Sequence, residues 1–162
     1  MTHKGRLAAM KLLMLMCHAA YLDGDTKVSR YILEMAYISL KFGMAPESSF
    51  AYPMLGSALI SYLGTINLGY RLGTLALENL SDENLELHCK TLTLVHNFNT
   101  PWRDHLNLSL EPLTRAYQLG MENQDIEYAM IASMTSGINA FVLGHDLHSI
   151  DTNLTEQTRE SK

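Results

Sequence analysis

Proline is scarce in this chain, four in 162 residues, and cysteine is scarcer, at two. Few prolines remove the main obstacle to long helices. Cys17 and Cys89 cannot build a disulfide framework, so a reducing compartment is the simpler setting. Charge is sparse as well: 18% of residues are charged against 47% apolar, which excludes a disordered tail. Lys and Arg number 12 against 17 Asp and Glu, for a net charge of −5. That deficit of cations excludes non-specific nucleic-acid binding through a basic surface. Long apolar runs are missing too. The longest, Leu12 to Cys17, falls far short of the roughly 20 residues that span a bilayer. The basic start, His3 to Arg6, resembles the head of a signal peptide, but Lys11 and His18 interrupt the apolar stretch behind it, and Asp23-Gly24-Asp25 stands in place of a cleavage site. The chain therefore reads as cytoplasmic, with no membrane insertion. Its Asn-Leu-Ser/Thr triplets at Asn79, Asn107 and Asn153 then carry no sugar.

What is present is helical periodicity. Residues 6–22 are rich in Leu, Ala and Met. Val28, Tyr31, Ile32, Met35, Ile38 and Phe42 are spaced by three and four, an amphipathic helix over 27–42 ended by an αL Gly43. Pro46-Glu47 opens a third helix that Pro53 is expected to kink or delay. Further helices are predicted over 66–80, 83–99 (capped within Ser81-Asp82-Glu83-Asn84), 104–121 with Pro112 a disturbance, 125–143 and 147–157. A polar tail, 158–162, completes a single domain over 1–157. No strand pattern competes.

Eight helices on short turns can close into a bundle or stack as hairpins, and the stack is favoured. Helix pairs recur about every 40 residues. Phe50-Ala51-Tyr52 and Tyr128-Ala129-Met130 each follow an acidic capping turn and precede a Leu-Gly stop. Tyr37, Tyr70 and Tyr117 sit late in the second helix of a pair, where an aromatic wedges against the next hairpin. The fold class expected is therefore an all-α helical-hairpin solenoid of tetratricopeptide type, about eight antiparallel helices. The first helix keeps little polar face and is expected to pack on something beyond this chain. The seventh, apolar nearly all round, is expected to be buried on both sides. Met10, Met14, Met16, Met130 and Met134 read as core filler, and Trp102 as a seal between hairpins.

Chemistry-bearing motifs are few. No phosphate-binding glycine motif is present. Trp102-Arg103-Asp104-His105 shares two residues with a kinase catalytic loop but has Trp102 where its His belongs and Ser109 where its Asn belongs. Gly144-His145-Asp146-Leu147-His148 echoes a histidine phospho-acceptor box and reads more simply as a helix boundary. Cys89 and His96 lie at i and i+7, with His88 elsewhere on the wheel, so packing outweighs a metal site. No cofactor is expected. Binding is expected instead at polar positions bordering apolar arcs, facing a groove: Thr93 and His96 on the fifth helix, Thr135 and Asn139 on the seventh.

Several segments also carry a resemblance. They are Leu7 to Met14 with Cys17-His18-Ala19-Ala20-Tyr21, Ser39 to Tyr52, Gly69 to Leu77, Trp102 to Leu106, and Ala116-Tyr117-Gln118-Leu119-Gly120 to Ala129. Together they resemble the tetratricopeptide-like region of large bacterial signalling proteins. In that family a serine/threonine-kinase-like domain and an AAA-type ATPase precede this region, and GAF and sensor histidine kinase domains come after it. The resemblance spans roughly 6–145 and rests on scaffold motifs; every catalytic module of the family is lacking here. It implies a non-catalytic scaffold or sensor whose partners are proteins, peptides or neighbouring domains. The alternative is a fragment of an ATP-dependent signalling kinase whose catalytic parts lie elsewhere.

Overall fold

The computed structural model of the chain describes residues 3–81 and 84–160, with the backbone alone at 158 and 160. Among them are eight α-helices and no strand: α1 (Lys4–Leu22), α2 (Val28–Phe42), α3 (Ser48–Leu63), α4 (Ile66–Glu78), α5 (Leu85–Phe98), α6 (Leu110–Glu122), α7 (Ile126–Val142) and α8 (Leu147–Glu160). Of the cap expected before α5, Asp82 and Glu83 lie outside the described residues, as do Ser161 and Lys162 of the tail.

Proline placement explains two departures from the periodicity. α6 begins at Leu110 and not near 104, after short 3-10 turns at Thr100–Trp102 and Leu106–Ser109. A start at 104 would bury Pro112 deep in the helix. A start at 110 puts it in the first turn, where its missing N–H has no partner to lose. Pro53, in contrast, neither delays nor ends α3, which runs through it from Ser48. Its missing N–H would have met the Ser49 carbonyl. That carbonyl accepts instead from Thr91 Oγ1 on α5, at 3.3 Å. Thr91 is fully buried, so the bond forms where an unpaired carbonyl would be costly. Gly43 also departs from expectation. Its φ of 89° and ψ of 163° are an extended left-handed conformation open essentially to glycine alone, not αL.

Each helix packs on the next, most extensively α3 on α4 and α6 on α7. The odd-numbered helices also pack on one another in a row, α1 on α3, α3 on α5 and α5 on α7. The main core lies along this row, where Met10, Cys17, Phe50, Ala51, Leu94 and Tyr128 are all buried in one cluster. α3 and α4 cross closely at Gly56 and Gly69, and Asn99 bridges them, its Nδ2 donating to the carbonyls of Pro53 and Gly69. Two of the three tyrosines reach the following hairpin: Tyr70 donates to Asp104 and Tyr117 to the Gln157 carbonyl. Tyr37 is half exposed and accepts from Lys41.

Some apolar residues are not covered. Leu12, Leu15, Met16 and Leu22 of α1 are exposed, an apolar face left largely uncovered among the described residues. α7 is not buried on both sides: Met134, Ile138 and Phe141 are 57%, 54% and 61% exposed. The reason is that α8 leans on α7 far less than α6 does. Met16 and Met134 are thus surface residues, and Trp102 is more than half exposed instead of sealing two hairpins. No described helix is long and apolar enough to cross a membrane.

Candidate functional site

The odd-numbered helices together wall a cavity of about 190 Å³. α3 supplies Phe50 and Met54, and α5 supplies Thr93, Leu94, Asn97 and Phe98. α1 adds Cys17, His18 and Tyr21, and α7 adds Tyr128, Ile131 and Met134. Phe50 and Tyr128 are each the third residue of their helix, and each is followed by a fully buried alanine, Ala51 and Ala129. The similarity between the two segments in sequence is therefore matched by their position within the helix.

A polar bridge closes one side. His18 Nε2–H of α1 donates to Glu127 Oε2 of α7 at 3.1 Å, across 109 residues of chain. That leaves Nδ1 to accept from the Tyr128 hydroxyl at 3.5 Å, the outer limit of a hydrogen bond. The Tyr128 ring is covered by Lys90 Nζ at 4.9 Å, and Lys90 is itself paired with Asp125, whose other carboxylate oxygen caps α7 at the Tyr128 N–H. Burial first, then the Glu127 and Asp125 charges, push the Tyr128 phenol well above its ordinary range. Burial alone pushes the Cys17 thiol to about 11. Both groups are therefore neutral near pH 7, and Cys17 is no nucleophile. The Thr93 hydroxyl is spent on its own helix, donating to the Cys89 carbonyl at 2.8 Å.

A second, more open apolar groove of about 440 Å³ runs between α7 and α8, floored by Met130, Gly137, Ile138 and Phe141 and flanked by Ile150 and Leu154. Met134 borders both the groove and the cavity.

Comparison with known proteins finds no matching family model, no similar curated protein and no similar solved structure.

The four border residues do not converge. Thr93 lines the cavity. His96, three residues on, bonds Thr100 Oγ1 through Nδ1 at 3.3 Å, and burial pulls its pKa down to about 4. Thr135 is buried, and Asn139 is buried and donates to Ser109 Oγ at 2.8 Å, a bond that ties α7 to the turn before α6. Asn139 and His96 thus serve interior contacts. Cys89 is packed against Gly120, and no group of three His, Cys, Asp or Glu gathers among the described residues. His145 and His148 are exposed at the α7–α8 boundary. Sequence periodicity missed His18, Asn97, Tyr128 and Met134. The signal available for Tyr128 was its repeat partner Phe50; nothing local marks His18, whose partner is on another helix.

Proposed function

We propose that the chain is a non-catalytic helical-hairpin array of tetratricopeptide type, a cytoplasmic scaffold or sensor that holds a protein, a peptide or a neighbouring domain in signal transduction. The observation that carries this reading is the stripe Met134, Ile138 and Phe141, spaced by four and three along α7, more than half exposed and set over an apolar groove. An amphipathic helix laid in such a groove covers that kind of stripe. The packing order supports an array: helices lean on their neighbours in sequence, and the first helix of each pair contributes to one shared cavity wall. The neutral thiols support a role without nucleophilic chemistry. The likeness to the region between ATPase and histidine kinase modules supports the signalling context.

A photo-crosslinking amino acid at Ile138, introduced in the cell the protein comes from, tests this. Protein adducts are expected at Ile138 and not at Glu34, an exposed position on α2. Adducts to an ATPase or histidine kinase domain support the signalling context. Equal labelling at both positions, or none, removes the docking role. Phosphate transferred from ATP to His145 or His148 would instead favour the kinase-fragment alternative.

A further inference from the structure

We propose that the cavity walled by α1, α3, α5 and α7 is a binding site for a free, neutral, small aromatic molecule with one hydrogen-bonding group, of the size of phenol or indole. This goes beyond the docking reading and stands without it, because the argument uses the cavity and not the α7–α8 groove.

Size comes first. A cavity of about 190 Å³ is somewhat larger than the ~150 Å³ apolar cavity that takes up benzene in an engineered protein, so one ring or a fused pair fits. Shape is set by the walls. Phe50 and Phe98 offer aromatic surfaces, and Met54 and Ile131 are apolar side chains that pack on a ring.

Charge decides the class. An ion taken into an apolar site needs a counter-charge. Among the described residues, the polar and charged groups at this wall already have partners: His18 lies between Glu127 and the Tyr128 hydroxyl, and Lys90 is held by Asp125 and the Tyr128 ring. Cys17 and Tyr128 are neutral. A carboxylate or an ammonium would enter without a partner, whereas a neutral ring loses nothing. One polar anchor remains. Asn97 lines the cavity, and its side-chain amide has no hydrogen-bond partner among the described residues. It can both donate to and accept from a phenol hydroxyl or an indole N–H.

Access decides between a free molecule and a side chain of a partner. The His18–Glu127 bridge joins α1 to α7 on one side of the cavity. The well-exposed wall residues are Tyr21 and Met134, both 57% exposed, so the wall meets solvent at these two residues. A free ring enters there more readily than a ring tethered to a peptide backbone.

The test uses the full chain with methyl-labelled methionine and titrates indole, phenol and toluene by NMR. Met54 and Met134 line the cavity; Met35 and Met121 do not. Indole and phenol are expected to shift the Met54 and Met134 methyls saturably, at about 1 mM or below for a ligand of roughly nine heavy atoms, while Met35 and Met121 stay put. Ile131→Trp, which fills the cavity from a half-buried position, is expected to weaken both at least tenfold. Asn97→Leu is expected to weaken phenol and indole but not toluene. No saturable shift, shifts spread over all methionines, or unchanged affinity in a folded Ile131→Trp each overturn the site. If that variant does not fold, the Asn97→Leu comparison and the methyl pattern decide. Tighter binding of N-acetyltryptophanamide than of indole overturns the free-molecule assignment in favour of a peptide anchor.

Discussion

Gly69→Ala should destabilise this protein although alanine is the better helix former. In an exposed helix the change gains about 1 kcal/mol. At Gly69, on α4, an added Cβ would sit 2.4 Å from Ile60 Cγ1 and 2.7 Å from the Gly56 carbonyl oxygen. Ile60 is buried and β-branched, so its Cγ1 has little freedom to turn aside, and the Gly56 carbonyl belongs to the backbone of α3 and has none. The two helices must therefore separate. Asn99 Nδ2 already reaches the Pro53 and Gly69 carbonyls at 3.2 Å each, so separation loosens both bonds in a fully buried place. Overpacking of this kind costs about 1–3 kcal/mol, and a weakened buried hydrogen bond about 1 kcal/mol more. Set against the helix gain, the net loss is about 2 kcal/mol, or roughly 4–8 °C in Tm for a chain of this length. Gly137→Ala on α7 is the matched control. Its Cβ would meet Leu154 Cδ1 at 3.1 Å, the far end of a flexible side chain on the loosely packed α8. It should be neutral or stabilising by up to about 1 kcal/mol. Urea and thermal unfolding of both variants give the answer. A Gly69→Ala protein as stable as the parent would refute the close crossing of α3 and α4 and with it the bridging role of Asn99.

Buried contacts elsewhere set three further outcomes. Thr91→Val should cost about 1–2 kcal/mol by leaving the Ser49 carbonyl unpaired, and Pro53→Ala should recover part of that by restoring an N–H to the same oxygen; strict additivity in the double-mutant cycle contradicts this pairing. His96 is held neutral to about pH 4, below its ordinary 6.5, so between those values the unfolded chain binds the extra proton and stability falls as pH drops through that window, by on the order of 3 kcal/mol. His96→Asn should flatten that part of the urea midpoint against pH, and an unchanged slope counts against a buried neutral imidazole. Cys17 and Cys89, with thiols raised to about 11 and about 12 by burial, should react with a disulfide reagent at pH 8 only as fast as the protein opens, and quickly in denaturant. A fast native phase would show that one of them is accessible as thiolate.

The positions of the helices were legible because their causes are local. α2, α4 and α7 begin and end within two residues of where spacing by three and four, the Asp125 cap and the Gly43 and Gly64 stops put them. Pro112 misled only because the start of α6 depends on where a first turn can form, and Pro53 because the donor that replaces its N–H comes from a threonine 42 residues along the chain from the Ser49 carbonyl it serves. The four border residues stand out on helix wheels alone. A wheel tells which residues are polar near an apolar arc, not what lies across from them, so Asn139 met Ser109 while Thr93 met the cavity.

By itself the sequence determined an all-helical chain and roughly where each helix runs, since capping, breaking and amphipathic spacing act within a few residues. Only the tertiary structure decided that α1 and α7 meet through His18, that four alternate helices enclose an apolar cavity, and that α7 keeps a bare apolar edge. Those features belong to pairs of residues far apart in the chain, and which side chains share a space depends on how helices stack, a quantity no local pattern encodes.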